Sequence, residues 1–340
     1  MACLPCPPGT YVETFGGSAC CLPCDVGTFA AAPGTAECSP CPAGSFASSP
    51  RSSSCDPCAA GTVYGLTGGN SSSQCVACGP GTVAPNPGMS ECAECPLGRY
   101  NTFFGATSCT PCSAGLFLPF TGSQDPLDCQ PCGTDPYGTY SPTPGAGACE
   151  RCPRGTYADA DGLRACVPVP RGFFLPQPGS NSSADAIPCP VGTFANEPGA
   201  ELCADCPTGS YADQVGTIAC SPCDAGFFLP TEKATSGDQC RKCPIGTRSA
   251  AGAGQCNVCP PGQYGDEEAL PECLSCPPGM YQALAGASSA DQCLECAIGF
   301  HNTQPGKAQC LPCIPGTYGN LTGMAECWKC LPGTFIDLEG

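Results

Sequence analysis

One short phrase recurs along the chain and constrains everything else: Cys-x-x-Cys, two residues, Gly, one residue, then an aromatic. Cys38 to Phe46 (CSPCPAGSF) is a clean copy, and copies run from Cys3-Leu-Pro-Cys6 to Cys327-Trp-Lys-Cys330. Take the second cysteine of each pair as position 0. Gly then holds +3 in eighteen of nineteen copies, from Gly9 to Gly333, and Gly138 is pushed to +6 by a three-residue insertion after Cys132. Tyr or Phe holds +5 in fourteen of those eighteen, with Val63, Val83, Arg248 and His301 as departures. Tyr140 is the counterpart after Gly138. Periodicity on this scale marks a repeat architecture rather than a globular core.

The composition agrees. Cys supplies 37 residues, Gly 45 and Pro 41. Long aliphatic runs and amphipathic stretches of three helical turns are missing. Units that cannot bury enough apolar surface need covalent staples or metal. The net charge is −17, yet only 12% of residues are charged. That balance excludes a nucleic-acid footprint, which must be basic, and anionic lipid surfaces. Acidity of this kind keeps a Gly/Ala/Pro surface soluble. No run approaches the length of a membrane helix, and the repeat has begun by Cys3, before any signal peptide could fit. Cys330 to Gly340 reads as a partial copy, so an internal piece of a longer exported chain is expected.

Each copy reads as a tight turn followed by a short strand. Cys-Pro-x-Gly suits a type I turn with Gly last, and Thr-Tyr or Thr-Phe favours extended backbone. The aromatic is the only large apolar group most copies own, so it is expected to lie on a disulfide as a miniature core. A second Gly four residues before the next Cys, as at Gly34, Gly88, Gly105, Gly199, Gly216 and Gly323, marks the returning turn.

Seventeen complete Cys-x-x-Cys pairs leave Cys20, Cys166 and Cys189 over. Cys166 heads a pair whose second member is Val169, and Cys189 ends a pair whose first member is Ala186. Two neighbouring cysteines are missing together. Bonding of each second Cys to the first Cys of the next pair turns this into one absent bridge with no orphan thiol. That scheme joins Cys24 to Cys38, Cys41 to Cys55, Cys58 to Cys75, Cys78 to Cys92, Cys95 to Cys109, Cys112 to Cys129, Cys132 to Cys149 and Cys152 to Cys166. It continues with Cys189 to Cys203, Cys206 to Cys220, Cys223 to Cys240, Cys243 to Cys256, Cys259 to Cys273, Cys276 to Cys293, Cys296 to Cys310 and Cys313 to Cys327. Cys6 closes the opening copy with one of Cys20 and Cys21, and Cys20 is the one assigned. Each bridge is worth about 3 kcal/mol on the chain-entropy model. The bridgeless copy, Val169 to Ala186, is a weak link, for which Phe173, Phe174 and Leu175 are expected to compensate by packing.

A longer rhythm overlies the short one. Copies starting at Cys58, Cys112, Val169, Cys223 and Cys276 have long, Ser- and Asp-rich ends, one in every three. Blocks follow at 3–57, 58–111, 112–168, 169–222, 223–275 and 276–329, with 330–340 a truncated copy. Tandem duplication explains the rhythm; a solenoid that projects a polar loop every third unit is the sharper expectation.

Other chemistry is weaker. Paired Cys-x-x-Cys resembles zinc ribbons by pattern. Zinc needs thiolates in fours, however, and the loss at Val169 and Ala186 would spoil sites. A thioredoxin-like motif lacks its strand–helix context. Asn70, Asn181 and Asn320 head Asn-x-Ser/Thr sequons and are candidate N-glycan acceptors. His301, the only histidine, takes an aromatic's place; Trp328 lies inside a Cys pair and is expected to cover sulfur. Asp266, Glu267 and Glu268 form the densest acidic run, read as a solvated loop. No nucleophile–base set, phosphate loop, cofactor site or metal site is assigned.

CPPGTY at Cys6–Tyr11, CPRGTY at Cys152–Tyr157, CPTGSY at Cys206–Tyr211 and CIPGTY at Cys313–Tyr318 resemble the ephrin receptor-like cysteine-rich repeat. That repeat is a relative in pattern of tumour necrosis factor receptor modules. The doubling at Cys20 and Cys21 also looks like the first module of such receptors. The resemblance implies receptor ectodomains, matrix and adhesion proteins or extracellular filaments. The expected fold is an elongated, solenoid-like array of small disulfide-rich β-hairpin and turn units with almost no helix. The expected role is a non-catalytic extracellular or cell-surface spacer, adhesive stalk or filament segment, meeting protein partners or itself. A ligand-binding ectodomain fragment is the alternative, and a zinc-binding repeat protein the third.

Overall fold

The repeating element in the computed structural model, which describes residues 4–15, 18–133 and 135–335, is a two-stranded antiparallel hairpin. Its strands are two residues long. Positions +4 and +5 pair with the two residues inside the next Cys-x-x-Cys: Thr28 opposite Pro40 and Phe29 opposite Ser39, Thr193 opposite Asp205 and Phe194 opposite Ala204. The register explains why Pro is tolerated. Cys41 N–H donates to the Gly27 carbonyl at 2.9 Å, so the following pair, Thr28–Pro40, falls where no ladder bond forms. Pro has no N–H to lose there. The first hairpin is longer, Thr10–Phe15 against Ser18–Pro23.

The turn entering each hairpin lies one residue later than the type I reading. The +4 N–H donates to the +1 carbonyl, as from Ser45 to Pro42 at 3.1 Å. Gly is therefore third in the turn, with φ +84° at Gly44, the signature of a type II turn. The +4 hydroxyl adds a second bond to the same carbonyl, 2.8 Å from Ser45 Oγ to Pro42 O. This is why +4 is so often Thr or Ser.

Hairpins stack through backbone. The +3 N–H donates to the +6 carbonyl of the next copy, Gly44 to Tyr64 at 2.7 Å. The +10 N–H reaches back to the position-0 carbonyl of the previous copy, Gly68 to Cys41 at 2.7 Å. Contact extends one copy further. The Gly27 Cα sits against the Gly68 carbonyl, two copies on, so that an added Cβ would lie 2.6 Å from its oxygen. The same +3-to-+10 approach recurs from Gly172 to Gly216 and from Gly262 to Gly306.

The ring is one part of the miniature core, as where Tyr211 packs against the cluster of Cys223 and Leu229. The +5 ring is only half-buried in most copies, including Phe29, Phe46, Tyr100 and Phe194. What disappears from solvent is the position-0 sulfur and the residue at +6. Cys24, Cys41, Cys58 and Cys95 are fully buried, as are Ala84, Leu118 and Ala158. At Gly265, a +6 residue, an added Cβ would lie 3.3 Å from Cys259 Sγ of its own copy. The +6 side chain thus rests on the bridge, and the ring flanks it. A small +6 residue fits because the copies are hydrogen-bonded backbone to backbone.

Among the described residues, helix is confined to five 3-10 turns, Ser72–Gln74, Pro126–Asp128, Ser183–Asp185, Gly237–Gln239 and Ala290–Gln292. These are the ends of the long copies. Ser71 and Gln74 form a reciprocal capping box, as do Ser236 and Gln239, and Asp125 caps the second turn. The Ser/Asp richness of these ends is therefore capping chemistry. The insertion after Cys132 is held by Tyr137, whose ring lies 3.9 Å beneath the Arg151 guanidinium. Gly138 then takes the acceptor place of +3, receiving the Cys152 N–H at 3.0 Å. The chain divides into two compact units, 1–167 with 178–183, and 168–177 with 184–340. The division falls within the copy that lacks a bridge.

Candidate functional site

The chemistry of this chain is concentrated in its sulfur framework. Among the described residues, seventeen disulfides join position 0 of one copy to the first cysteine of the next pair, with separations of 13 to 17 residues. Hairpin register brings each pair of Cα atoms within 5.9 Å, inside the range a disulfide needs. In the opening copy the assignment of Cys20 is corrected. Cys6 bonds to Cys21, and Cys20 is an exposed free thiol. The signal was present: Cys21-Leu-Pro-Cys24 is the pair in register, and Cys20 lies outside it. Cys330 is also free, and Cys3 lies outside the described residues.

The bridgeless copy keeps the architecture of its neighbours. Phe173 pairs with Pro188 and Phe174 with Ile187. Cys189 N–H donates to Gly172 O, and Gly199 N–H to Val169 O, at 2.9 and 2.8 Å. Val169 is fully buried where a half-cystine would be. The Phe-Phe-Leu triplet is no special compensation, because Phe227-Phe228-Leu229 occupies the same places in a bridged copy.

The remaining candidates are dispersed. Asn70, Asn181 and Asn320 are exposed, and the first two hold the same place, two residues before a 3-10 turn. His301 is half-buried, with Nδ1 3.4 Å from the Ala325 carbonyl. Trp328 meets the Tyr318 ring edge-on at 5.9 Å and stays 47% exposed. Asp266, Glu267 and Glu268 are exposed. Among the described residues no group of three or more His, Cys, Asp or Glu is placed to hold a metal ion, and no helix is long and apolar enough to cross a membrane. The hollow between Tyr211, Phe227 and Gly237 is about 120 Å³, and another lined by Leu229, Asp238 and Arg241 is about 360 Å³, against the 300–1,000 Å³ of small-molecule sites.

Sequence reasoning missed one inter-copy link. An acidic residue at the second place inside a Cys-x-x-Cys reaches the +9 or +10 residue of the following copy. Thr121 Oγ1 donates to Glu94 at 2.8 Å, Thr322 Oγ1 to Glu295 at 2.6 Å, and Lys233 pairs with Asp205 at 3.3 Å. In several other copies Pro holds that place and lies beside the +10 residue, as Pro57 does at Gly88.

A family profile described as tyrosine-protein kinase ephrin type A/B receptor-like matches residues 27–75, 81–129, 138–186, 192–240 and 246–293, well over half the chain. Each segment ends where a long copy ends. No curated protein matches the chain.

Proposed function

The chain belongs to the ephrin receptor-like family of cysteine-rich repeats, and on that premise we propose that it is an extracellular structural or adhesive segment, a covalently stapled spacer. The observation that carries the reading is that copies join through backbone: +3 to the next +6, and +10 to the previous position 0. Such joints depend little on side chains, so copies add without a specialised site, as a spacer needs. Seventeen bridges suit an oxidising compartment. Protein partners or further copies of the chain are the expected contacts. The five matched segments and five 3-10 turns support a three-copy block as the building period. Asn70, Asn181 and Asn320 are proposed glycan acceptors, to be read as a mass loss on peptide-N-glycosidase treatment of secreted protein.

The test is expression through a secretory route, followed by imaging of the native protein. Location in the matrix or at the cell surface, in insoluble or filamentous material, is expected. A cytosolic, reduced protein would end this reading. The alternative, a ligand-binding receptor ectodomain, is favoured by one irregular feature: Phe103 and Phe104, adjacent and 74% and 76% exposed. Loss of cell binding in Phe103→Ala/Phe104→Ala, with bridges intact, would favour it over the spacer.

A further inference from the structure

We propose that the pairing scheme makes this chain a tension-bearing tether with one length reserve, the bridgeless copy Val169–Ala186. Its biological use rests on the spacer reading above; its mechanics rest on connectivity. Tension along a chain follows the shortest covalent path. In a bridged copy that path crosses the sulfur–sulfur bond and the three peptide steps of one Cys-x-x-Cys, as from Cys24 to Cys38 to Cys41. The loop between the bonded cysteines carries no load. With a Cα–Cα distance of 5.7 Å across the bridge, a stretched copy spans roughly 16 Å.

Such a series runs from Cys6 to Cys166 and again from Cys189 to Cys327. Between Cys166 and Cys189 the load must pass through the peptide itself. The residues there are held by non-covalent contacts: burial of Val169, and backbone bonds from Gly199 to Val169, from Leu175 to Ala200 and from Gly179 to Cys152. These yield under tension that leaves sulfur–sulfur bonds intact. Once freed, residues 169–186 extend roughly 50 Å further than a bridged counterpart, at the stretched-chain length per residue.

The test is single-molecule force spectroscopy on the oxidised full chain, held at its two ends. The variants are Val169→Cys/Ala186→Cys, which restores a bridge, and Cys206→Ala/Cys220→Ala, which opens another. The wild-type contour length should exceed that of the first variant by roughly 50 Å, a difference that vanishes on reduction. The second variant should lengthen the chain by roughly 40 Å. Equal contour lengths for wild type and the first variant, with the new bond verified by mass spectrometry, would overturn the proposal. So would an unchanged length in the second variant, which decides alone should the first bond not form. A cytosolic location would defeat the spacer reading but leave these lengths unaltered, so the two failures are distinguishable.

Discussion

Two glycines of the repeat share a left-handed backbone but not an environment. Gly44 at +3 has φ +84° and lies against the Gly88 carbonyl, so Gly44→Ala meets both strain and a collision. Gly88 at +10 has φ +79°, yet an added Cβ would stand 3.4 Å from the Pro57 Cβ, in ordinary contact. Gly44→Ala should cost about 3 kcal/mol or more and Gly88→Ala about 1 kcal/mol. Denaturant midpoints and hydrogen exchange in the flanking copies check the order; equal costs would refute it. The chain already carries the +10 substitution at Arg51, Lys233 and Ala269, with φ 65°, 59° and 60°. A second contrast lies at +6. Asn101 bonds to Thr82 O and Phe103 O, and accepts the Phe103 N–H. Asn302, equally buried, donates to Met280 O at 3.2 Å but leaves Oδ1 without a partner. Asn302→Ala should therefore cost less than Asn101→Ala, which should destabilise by about 1 kcal/mol, read as the smaller of two shifts in thermal midpoint.

At the scale of the hairpin, the strand and its closure were legible because both leave marks in residue type. Thr-Tyr announces extension, and the joint loss at Val169 and Ala186 points to one pairing scheme. The stacking was not legible. Its bonds run between main-chain groups, and its only trace is Gly where two backbones touch, which reads equally as a turn. Part of the core was not legible for a related reason: rings draw the eye, while the residue buried along with the sulfur is an inconspicuous Ala at Ala30, Ala47 or Ala84. Restoring the absent bridge with Val169→Cys/Ala186→Cys should stabilise this copy by up to about 3 kcal/mol, seen as slower local hydrogen exchange. One hairpin also carries a pH signature. Burial, then the hydrogen bond and charge of Glu150 opposite, hold the Tyr140 phenol above its ordinary value of 10.0. The folded form retains a proton that the unfolded chain releases, so stability is present below pH 10 and falls as pH rises through the raised value. Glu150→Gln should lower the Tyr140 transition in an ultraviolet titration, leaving the part due to burial.

For the molecule as a whole, thiol counting by mass spectrometry without reductant should find thirty-four of the 37 cysteines bonded and three reduced, Cys20, Cys330 and, by the pairing scheme, Cys3, with metal analysis finding no zinc. A Cys21–Cys24 bond would contradict the framework outright. Because the bridges follow one another along the chain and never interleave, every second thiol meets its partner 13 to 17 residues behind it. In an exported chain, oxidation can then proceed from one end to the other, ring by ring. Closure of such short rings is fast and local, as in proteins of low contact order. An array built this way can grow by duplication without lengthening its slowest assembly step.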